Sequence, residues 1–249
     1  MKYYASLLKK KYRDEEDKFI VEGEKFIQEG INENLLPEII ITTNEASKGY
    51  KDFLSQEKLK KVRVEKLKNT EFSKLSDTKN SQGIAAVFNK KKKNEKIDDE
   101  NGNLIVCLDR ISDPGNVGTI LRTCSWFGIK NVLLTKECAD AYNTKTIRAS
   151  AGSIFHLNIM DEIDEDFLLP LKNKGIKFLL ADLQGADVFN YNFSKKTILI
   201  FSNEASGPTE EIIKICDDKI TIPKIGKVES LNVASASAII IGEAVKSLS

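Results

Sequence analysis

Apolar positions along the chain come in short runs separated by amphipathic stretches. Ile39-Ile40-Ile41-Thr42-Thr43 follows Pro37 and predicts a buried strand, with shorter strands at 62–64 and 84–88. Between them, residues 24–31, 45–54 and 70–75 have helical character. Beyond residue 104 the alternation is clearer. Strands are expected at 104–109, 131–135, 154–159, 177–182, 197–202 and 219–222. Helices are expected near 116–127, 143–150, 164–174, 208–217 and 232–247. This alternation predicts an α/β fold: a mostly parallel sheet covered on both faces, preceded by a smaller α/β unit.

The pattern breaks at residues 89–103, which are nearly all polar and include Lys90, Lys91, Lys92 and Lys93 in succession. Such a run buries no surface and reads as a linker or exposed loop. The expected division is 1–96, a linker at 97–103, and 104–249. Charge sharpens it. The chain has 38 basic and 37 acidic residues among 249, a formal net charge of +1. Residues 1–96 hold 22 basic and 16 acidic, net +6, and the remaining 153 hold 16 and 21, net −5. A basic module joined to an acidic one points to a polyanionic partner, which the near-neutral total conceals.

Composition narrows the classes. With 41% hydrophobic and 30% charged residues the chain is neither disordered nor collagen-like, and it is long enough for a sizeable core. No apolar run approaches the roughly 18–20 residues of a membrane span, and the start lacks a secretory pattern. Cys107, Cys124, Cys138 and Cys216 are spaced 17, 14 and 78 apart with no CxxC pair. That spacing argues against structural zinc or a disulfide framework, so no metal is expected, and free thiols suit a reducing cytoplasm. Cys107 and Cys124 read as core fillers. His156 reads as a buried or half-buried structural residue, and a lone histidine weakens any catalytic relay.

Three loops at predicted strand ends concentrate the unusual residues, where ligands sit in open α/β sheets. The first is Asp109-Arg-Ile-Ser-Asp-Pro-Gly-Asn116, opening a helix that carries Arg122; Asn116 can cap that helix, whose free N–H groups suit an anion. The second is Ser202-Asn203-Glu204-Ala205-Ser206-Gly207-Pro208, small residues that admit a ligand close to backbone, with one carboxylate. The third is Ile222-Pro-Lys-Ile-Gly-Lys-Val-Glu-Ser-Leu-Asn-Val233, before a helix so small-sided that something must pack closely on it; Ser230 or Asn232 could cap it. Alone, each also reads as ordinary capping with a surface charge or two.

Together, DRISDPGNVGTILRTCSWFG, NTKTIRASAGSIFHL, ILIFSNEASGP and IPKIGKVESLNVASASAIIIGEA resemble, in order and spacing, the SpoU family of RNA 2′-O-ribose methyltransferases in the SPOUT superfamily. The resemblance covers residues 104–249. Phe19-Ile-Val-Glu-Gly23 and Leu75-Ser-Asp-Thr-Lys-Asn-Ser-Gln-Gly83-Ile84 resemble the ribosomal-protein-like substrate-binding domain that many of these enzymes carry. The resemblance implies a deep trefoil knot, a homodimer, and S-adenosylmethionine as cofactor. It places Ser202, Asn203, Gly207, Ile222 and Leu231 at the cofactor, and Asn116, Arg122, Glu204, Ser230 and Asn232 at the catalytic centre. Arg148 and the Lys90–Lys93 run become RNA contacts. The family commonly has glycine at Ser202 and Ala205, so a narrower pocket is expected here.

A ribose hydroxyl must lose or share its proton while the methyl donor is held in line. The family's proposed base is the arginine matching Arg122, but a guanidinium pKa above about 12 makes phosphate orientation the easier role. Both stay open. Ribosomal RNA is favoured over transfer RNA because an added N-terminal domain is more typical of ribosomal enzymes. A noncatalytic RNA-binding or ribosome-assembly protein on the same fold is the alternative. A dinucleotide oxidoreductase finds neither GxGxxG nor GxxxxGK[ST].

Overall fold

A computed structural model describes residues 2–78, 80–91, 97 and 104–248. The chain divides into two compact units, Met1–Lys92 with Tyr142–Phe155, and Lys93–Ala141 with His156–Ser249.

The first unit runs α1 (Lys2–Ser6), α2 (Lys10–Glu16), β1 (Lys18–Glu22), α3 (Glu24–Asn32), β2 (Ile39–Thr43), α4 (Lys51–Leu54), β3 (Arg63–Leu67), α5 (Asn69–Phe72) and β4 (Ile84–Asn89). Its sheet has the order β1-β4-β2-β3, antiparallel except for the parallel β2–β3 pair. Ile20, Ile39, Ile41, Leu67, Ala85 and Val87 bury one face with Leu7, Phe72 and Leu75. Strand β1 is additional to the sequence expectation. Its short Phe19-Ile20-Val21 run lies between two left-handed residues, Asp17 (φ 51) and Gly23 (φ 103).

The second unit begins with β5 (Ile105–Asp109), α6 (Pro114–Trp126) and β6 (Asn131–Thr135). Next in the chain, α7 (Thr144–Ala149) lies in the 142–155 segment that clusters with the first unit. The physical reason is aromatic packing and an ion pair. The Tyr142 ring lies tilted 4.7 Å from that of Phe19, Phe155 lies 5.0 Å from Phe88, and Arg148 pairs with Asp77. Phase also differs here: 153–155 is a single 3-10 turn, not the start of a strand, and pairing begins at Asn158. His156, expected to be buried or half-buried, is exposed.

The rest of the second unit is β7 (Asn158–Ile163), α8 (Glu165–Asn173), β8 (Lys177–Asp187), β9 (Thr197–Ser202), α9 (Glu210–Ile215), β10 (Asp218–Thr221) and α10 (Val233–Leu248). All six strands are parallel, in the order β10-β8-β9-β5-β6-β7. Ile198 to Phe201 are all 0–1% exposed, which requires cover on both faces. Ile105, Cys107, Phe178, Leu180, Ile198 and Ile200 face α8 and α9. Helices α6 and α10 pack together, and α10 lies against β9. Cys107 and Cys124 are fully buried fillers. Of the expected linker, only Ile97 is described, packed against the core of the second unit; 98–103 lie outside the described residues.

Neighbours β5 and β9 flank the point where strand order reverses, because β6 follows β5 on one side and β9 pairs on the other. Their carboxyl ends therefore form the crevice in which such sheets take ligands.

Candidate active site

The first loop leaves β5 at Asp109, whose carboxylate is 1% exposed and accepts from Thr135 Oγ1 at 3.1 Å and the Thr209 amide at 2.9 Å. That single buried group joins the ends of β5, β6 and the turn before α9. Helix α6 starts earlier than expected. Asp113, not Asn116, is the cap: its Oδ1 accepts from the Asn116 amide at 2.9 Å, and Pro114 takes the first helical position. The side chain of Asn116 is thereby free for another partner. Its Oδ1 accepts from Asn232 Nδ2 at 3.1 Å, joining the first loop to the third.

Asn203 organises the second loop. Its Oδ1 accepts from the amides of Ala205 and Ser206 at 2.9 and 3.2 Å, and its carbonyl from the Gly207 amide at 2.9 Å. Gly207 needs its left-handed φ of 65 to close that turn. Glu204 Oε1 accepts from the Val233 amide at the start of α10, while Asn232 Oδ1 accepts from the Ala234 amide at 3.0 Å. So Asn232 is the third loop's cap, and Glu204 satisfies a second helix-start donor from across the site.

Between the second and third loops lies a cavity of about 400 Å³, within the range of small-molecule sites. Ser202, Asn203, Glu204, Gly207, Ile222, Ser230 and Leu231 all line it. Ala205 does not line it, whereas Ser202 does. Sequence reasoning missed the far wall, Ala181, Asp182 and Leu183, where β8 bulges away from β10. Asp182 pairs with Lys219 at 2.7 Å; burial would raise its carboxyl, but that lysine and the Gln184 amide hold it below the ordinary range. Burial pushes the Cys138 thiol up to about 11 and Cys216 up to about 12, so neither is a nucleophile at neutral pH. Among the described residues, no group of three or more His, Cys, Asp or Glu side chains could hold a metal ion.

Arg122 is exposed on α6, without a hydrogen-bond or ion-pair partner among the described residues, and is not part of the cavity wall. The RNA-contact candidates fall in the first unit. Arg148 makes a two-pronged contact with Asp77 through Nη1 and Nη2. Lys90 is engaged within the first unit. Its side chain is 9% exposed, pairs with Asp14 at 2.6 Å and sits 5.2 Å over the Tyr142 ring. Lys91 donates to the Phe155 carbonyl at 2.5 Å, and desolvation lowers its pKa. Folding supplies each with a partner remote in sequence; Lys90 is withdrawn from solvent, while Lys91 stays exposed. Lys92 and Lys93 lie outside the described residues.

Residues 103–242 match the model of the SpoU rRNA Methylase family, and residues 1–86 that of the MRM3-like substrate binding domain. The chain belongs to the SpoU rRNA methylase family. This SpoU chain is 30% identical to the 23S rRNA (guanosine(2553)-2'-O)-methyltransferase RlmP of Bacillus subtilis, over 97% of this chain and 94% of that one. The SpoU methyltransferase AviRb from Streptomyces viridochromogenes, solved with AdoMet, superposes with a TM-score of 0.84 at 25% identity, covering 98% of this chain and 96% of that one. An AdoMet-bound rRNA methyltransferase from Sinorhizobium meliloti gives 0.84 at 27%, covering 100% and 94%. S-adenosylmethionine is thus the cofactor of this SpoU chain, an RNA methyltransferase.

The residues present fit that cofactor. Ser202 lines the cavity, and its Oγ is buried without a hydrogen-bond partner in the structure. A buried hydroxyl left unpaired is unfavourable unless a ligand supplies the partner. Residues 223–231 make no backbone hydrogen bonds to other described residues, so amides and carbonyls beside the cavity are available, including that of Leu231.

Proposed function

We propose that this chain methylates a ribose 2′-hydroxyl in ribosomal RNA. The observation that carries the reading is the cavity at the β9 end, where the motif residues of the second and third loops meet around the unpaired Ser202 hydroxyl. The cofactor supplies an electrophilic methyl group. The chain's own residues then have three tasks. Ser202, Gly207, Ile222 and Leu231 hold the cofactor. Glu204 and Asn232 fix the start of α10, and Asn232 holds Asn116. Arg122, exposed and uncommitted, grips the RNA phosphate beside the target ribose or draws off the hydroxyl proton.

Substrate binding belongs to residues 1–96 and catalysis to 104–249 in this proposal, with the latter knotted and paired with a second copy. Trp126 on α6, 85% exposed, and Ile239 on α10, 37% exposed, provide apolar surface suited to such pairing. With Lys90 and Arg148 both paired internally, RNA contact passes to cations of the basic 58–68 segment. Lys61, Lys66 and Lys68 there are exposed and lack ion-pair partners among the described residues. No described helix is long and apolar enough to cross a membrane; a cytoplasmic site of action completes the proposal.

Purified protein would be incubated with methyl-labelled cofactor and ribosomal RNA lacking its ribose methyl groups, and the product mapped by resistance to alkaline cleavage. Label at one alkali-resistant position is expected, with loss of transfer in Arg122→Ala. Transfer to a base, or cofactor binding without transfer to any cellular RNA, would refute the proposal.

A further inference from the structure

Arg110 belongs to no motif role above, yet its backbone and side chain are both held against the cavity loops. It follows β5 directly and holds φ at 55, a left-handed conformation that side chains other than glycine and asparagine avoid. Such a residue persists only where its surroundings determine it from several sides. Here three contacts do. Its amide donates to Thr135 Oγ1 at 3.1 Å, its carbonyl accepts from Asn203 Nδ2 at 3.0 Å, and its Nη2 donates to the Gly207 carbonyl at 3.0 Å. The loop is closed on itself by the Asn203–Gly207 bridge. Arg110 therefore grips both ends of that closed turn, the backbone holding Asn203 and the guanidinium holding Gly207.

The grip has a cost that ordinary structural arginines avoid. Arg110 Nε is buried without a partner, although a guanidinium offers its donors readily to water. The side chain has given up solvation to reach one carbonyl. That carbonyl belongs to Gly207, in the same turn as Asn203 and Glu204, and all three line the cavity.

We propose that Arg110 is a positioning residue for the cofactor. It fixes the 203–207 turn so that the Ser202 hydroxyl and the Glu204 carboxylate stand ready before the cofactor arrives. It touches neither cofactor nor RNA; its effect is on cofactor affinity, through preorganisation. The proposal rests on the S-adenosylmethionine reading of the cavity.

Arg110→Gly is the decisive variant, because glycine accepts the left-handed backbone while the whole side chain, guanidinium included, is removed. Cofactor affinity would be measured by calorimetry on the full chain, with RNA affinity alongside and amide exchange of Ala205 to Gly207 without ligand. Expected are a cofactor dissociation constant raised on the order of tenfold, as for loss of one charged hydrogen bond, unchanged RNA affinity and faster exchange in the turn. The cofactor KM should rise more than kcat falls, and Arg110→Lys should recover part of the affinity. Wild-type cofactor affinity in a folded Arg110→Gly would overturn the proposal. If that variant does not fold, wild-type affinity and exchange in Arg110→Lys would overturn it equally. An unmodified chain that fails to bind cofactor would refute the reading of the cavity instead, and turn exchange in Arg110→Gly would still decide the grip.

Discussion

Gly185→Ala tests how the far wall of the cavity is built. Strand β8 pairs with β10 at Leu180↔Lys219 and resumes at Ala186↔Ile220, so residues 181–185 bulge out between two consecutive residues of the partner. Gly185 brings the bulge back against the main chain of β10. A methyl group there would lie 2.5 Å from the Lys219 carbonyl oxygen, 2.6 Å from its carbon and 2.8 Å from the Ile220 nitrogen. All three are backbone atoms, so no side chain can swing aside. Restoring an ordinary separation near 3.4 Å moves β10 by about 0.9 Å, the difference between 3.4 and 2.5. Overpacking of this kind costs about 1–3 kcal/mol, and breaking one ladder hydrogen bond adds about 1 kcal/mol. At about 2–4 °C per kcal/mol for a chain of this size, the midpoint of thermal unfolding should fall by roughly 4–16 °C. Asp182 is tied to Lys219 and the Leu183 carbonyl to Thr221 Oγ1, and both bulge residues line the cavity. The same shift should therefore weaken cofactor binding. The readouts are a melting curve and a calorimetric titration. A Gly185→Ala protein that melts within 1 °C of the parent would refute this account of the bulge.

Three further outcomes are expected. Glu204→Ala removes the acceptor for the Val233 amide and should cost about 1 kcal/mol of cap and dipole stabilisation, about 2–4 °C in melting, with Glu204→Gln retaining most of it; parental melting in the alanine variant would leave the carboxylate no structural role. For Asp77, burial raises the carboxyl pKa but hydrogen bonds from Arg148 and Thr144 outweigh it, so the folded value is lowered. Its stabilisation is full above the unfolded value near 4 and is lost as pH falls through the folded one; Asp77→Asn should cost at most about 1 kcal/mol at pH 7 and nothing in acid, and a pH-independent deficit would contradict the pair. Replacing Lys61, Lys66 and Lys68 together by Glu should weaken RNA binding and lower the log-log salt slope by roughly 2, about 0.7 for each phosphate no longer neutralised, whereas an unchanged slope would remove the 58–68 segment from the interface.

The parallel sheet of the second unit was legible because its central strands β5 and β9 are continuous apolar runs ended by Asp109 and by Ser202-Asn203. The loops were legible for the same reason, since residues that punctuate strands also admit ligands to backbone. Errors arose where a local signal had two readings. Asp113 and Asn116 both suit a helix cap, three residues apart; Pro114 decides for Asp113, because proline fits the first helical position. Ile154-Phe155-His156-Leu157 has strand composition, but Phe155 is held by rings of the first unit and the strand begins at Asn158. Four consecutive lysines suggest solvent, yet Lys90 finds Asp14, 76 positions away.

That last case separates two kinds of information. A residue type at a strand end reports what the backbone can do there, and local sequence carries it. A partner reports which strand end lies alongside, and only the sheet order carries that. Asp109 pairs in register with Ser202 because β9 inserts beside β5 after the chain has built β6, β7 and β8 elsewhere. From that register follow the bonds from Asp109 to Thr209 and from Arg110 to Gly207, spanning 100 and 97 positions. Neither residue has a distinctive neighbourhood in sequence: an acid and an arginine after a strand are commonplace. Cavity-lining residues of the three loops were therefore visible beforehand, while the β8 wall and the residues that hold the loops in place were not. Substitutions at Asp109, Arg110 and Gly185 should accordingly disturb cofactor binding although none of the three lines the cavity.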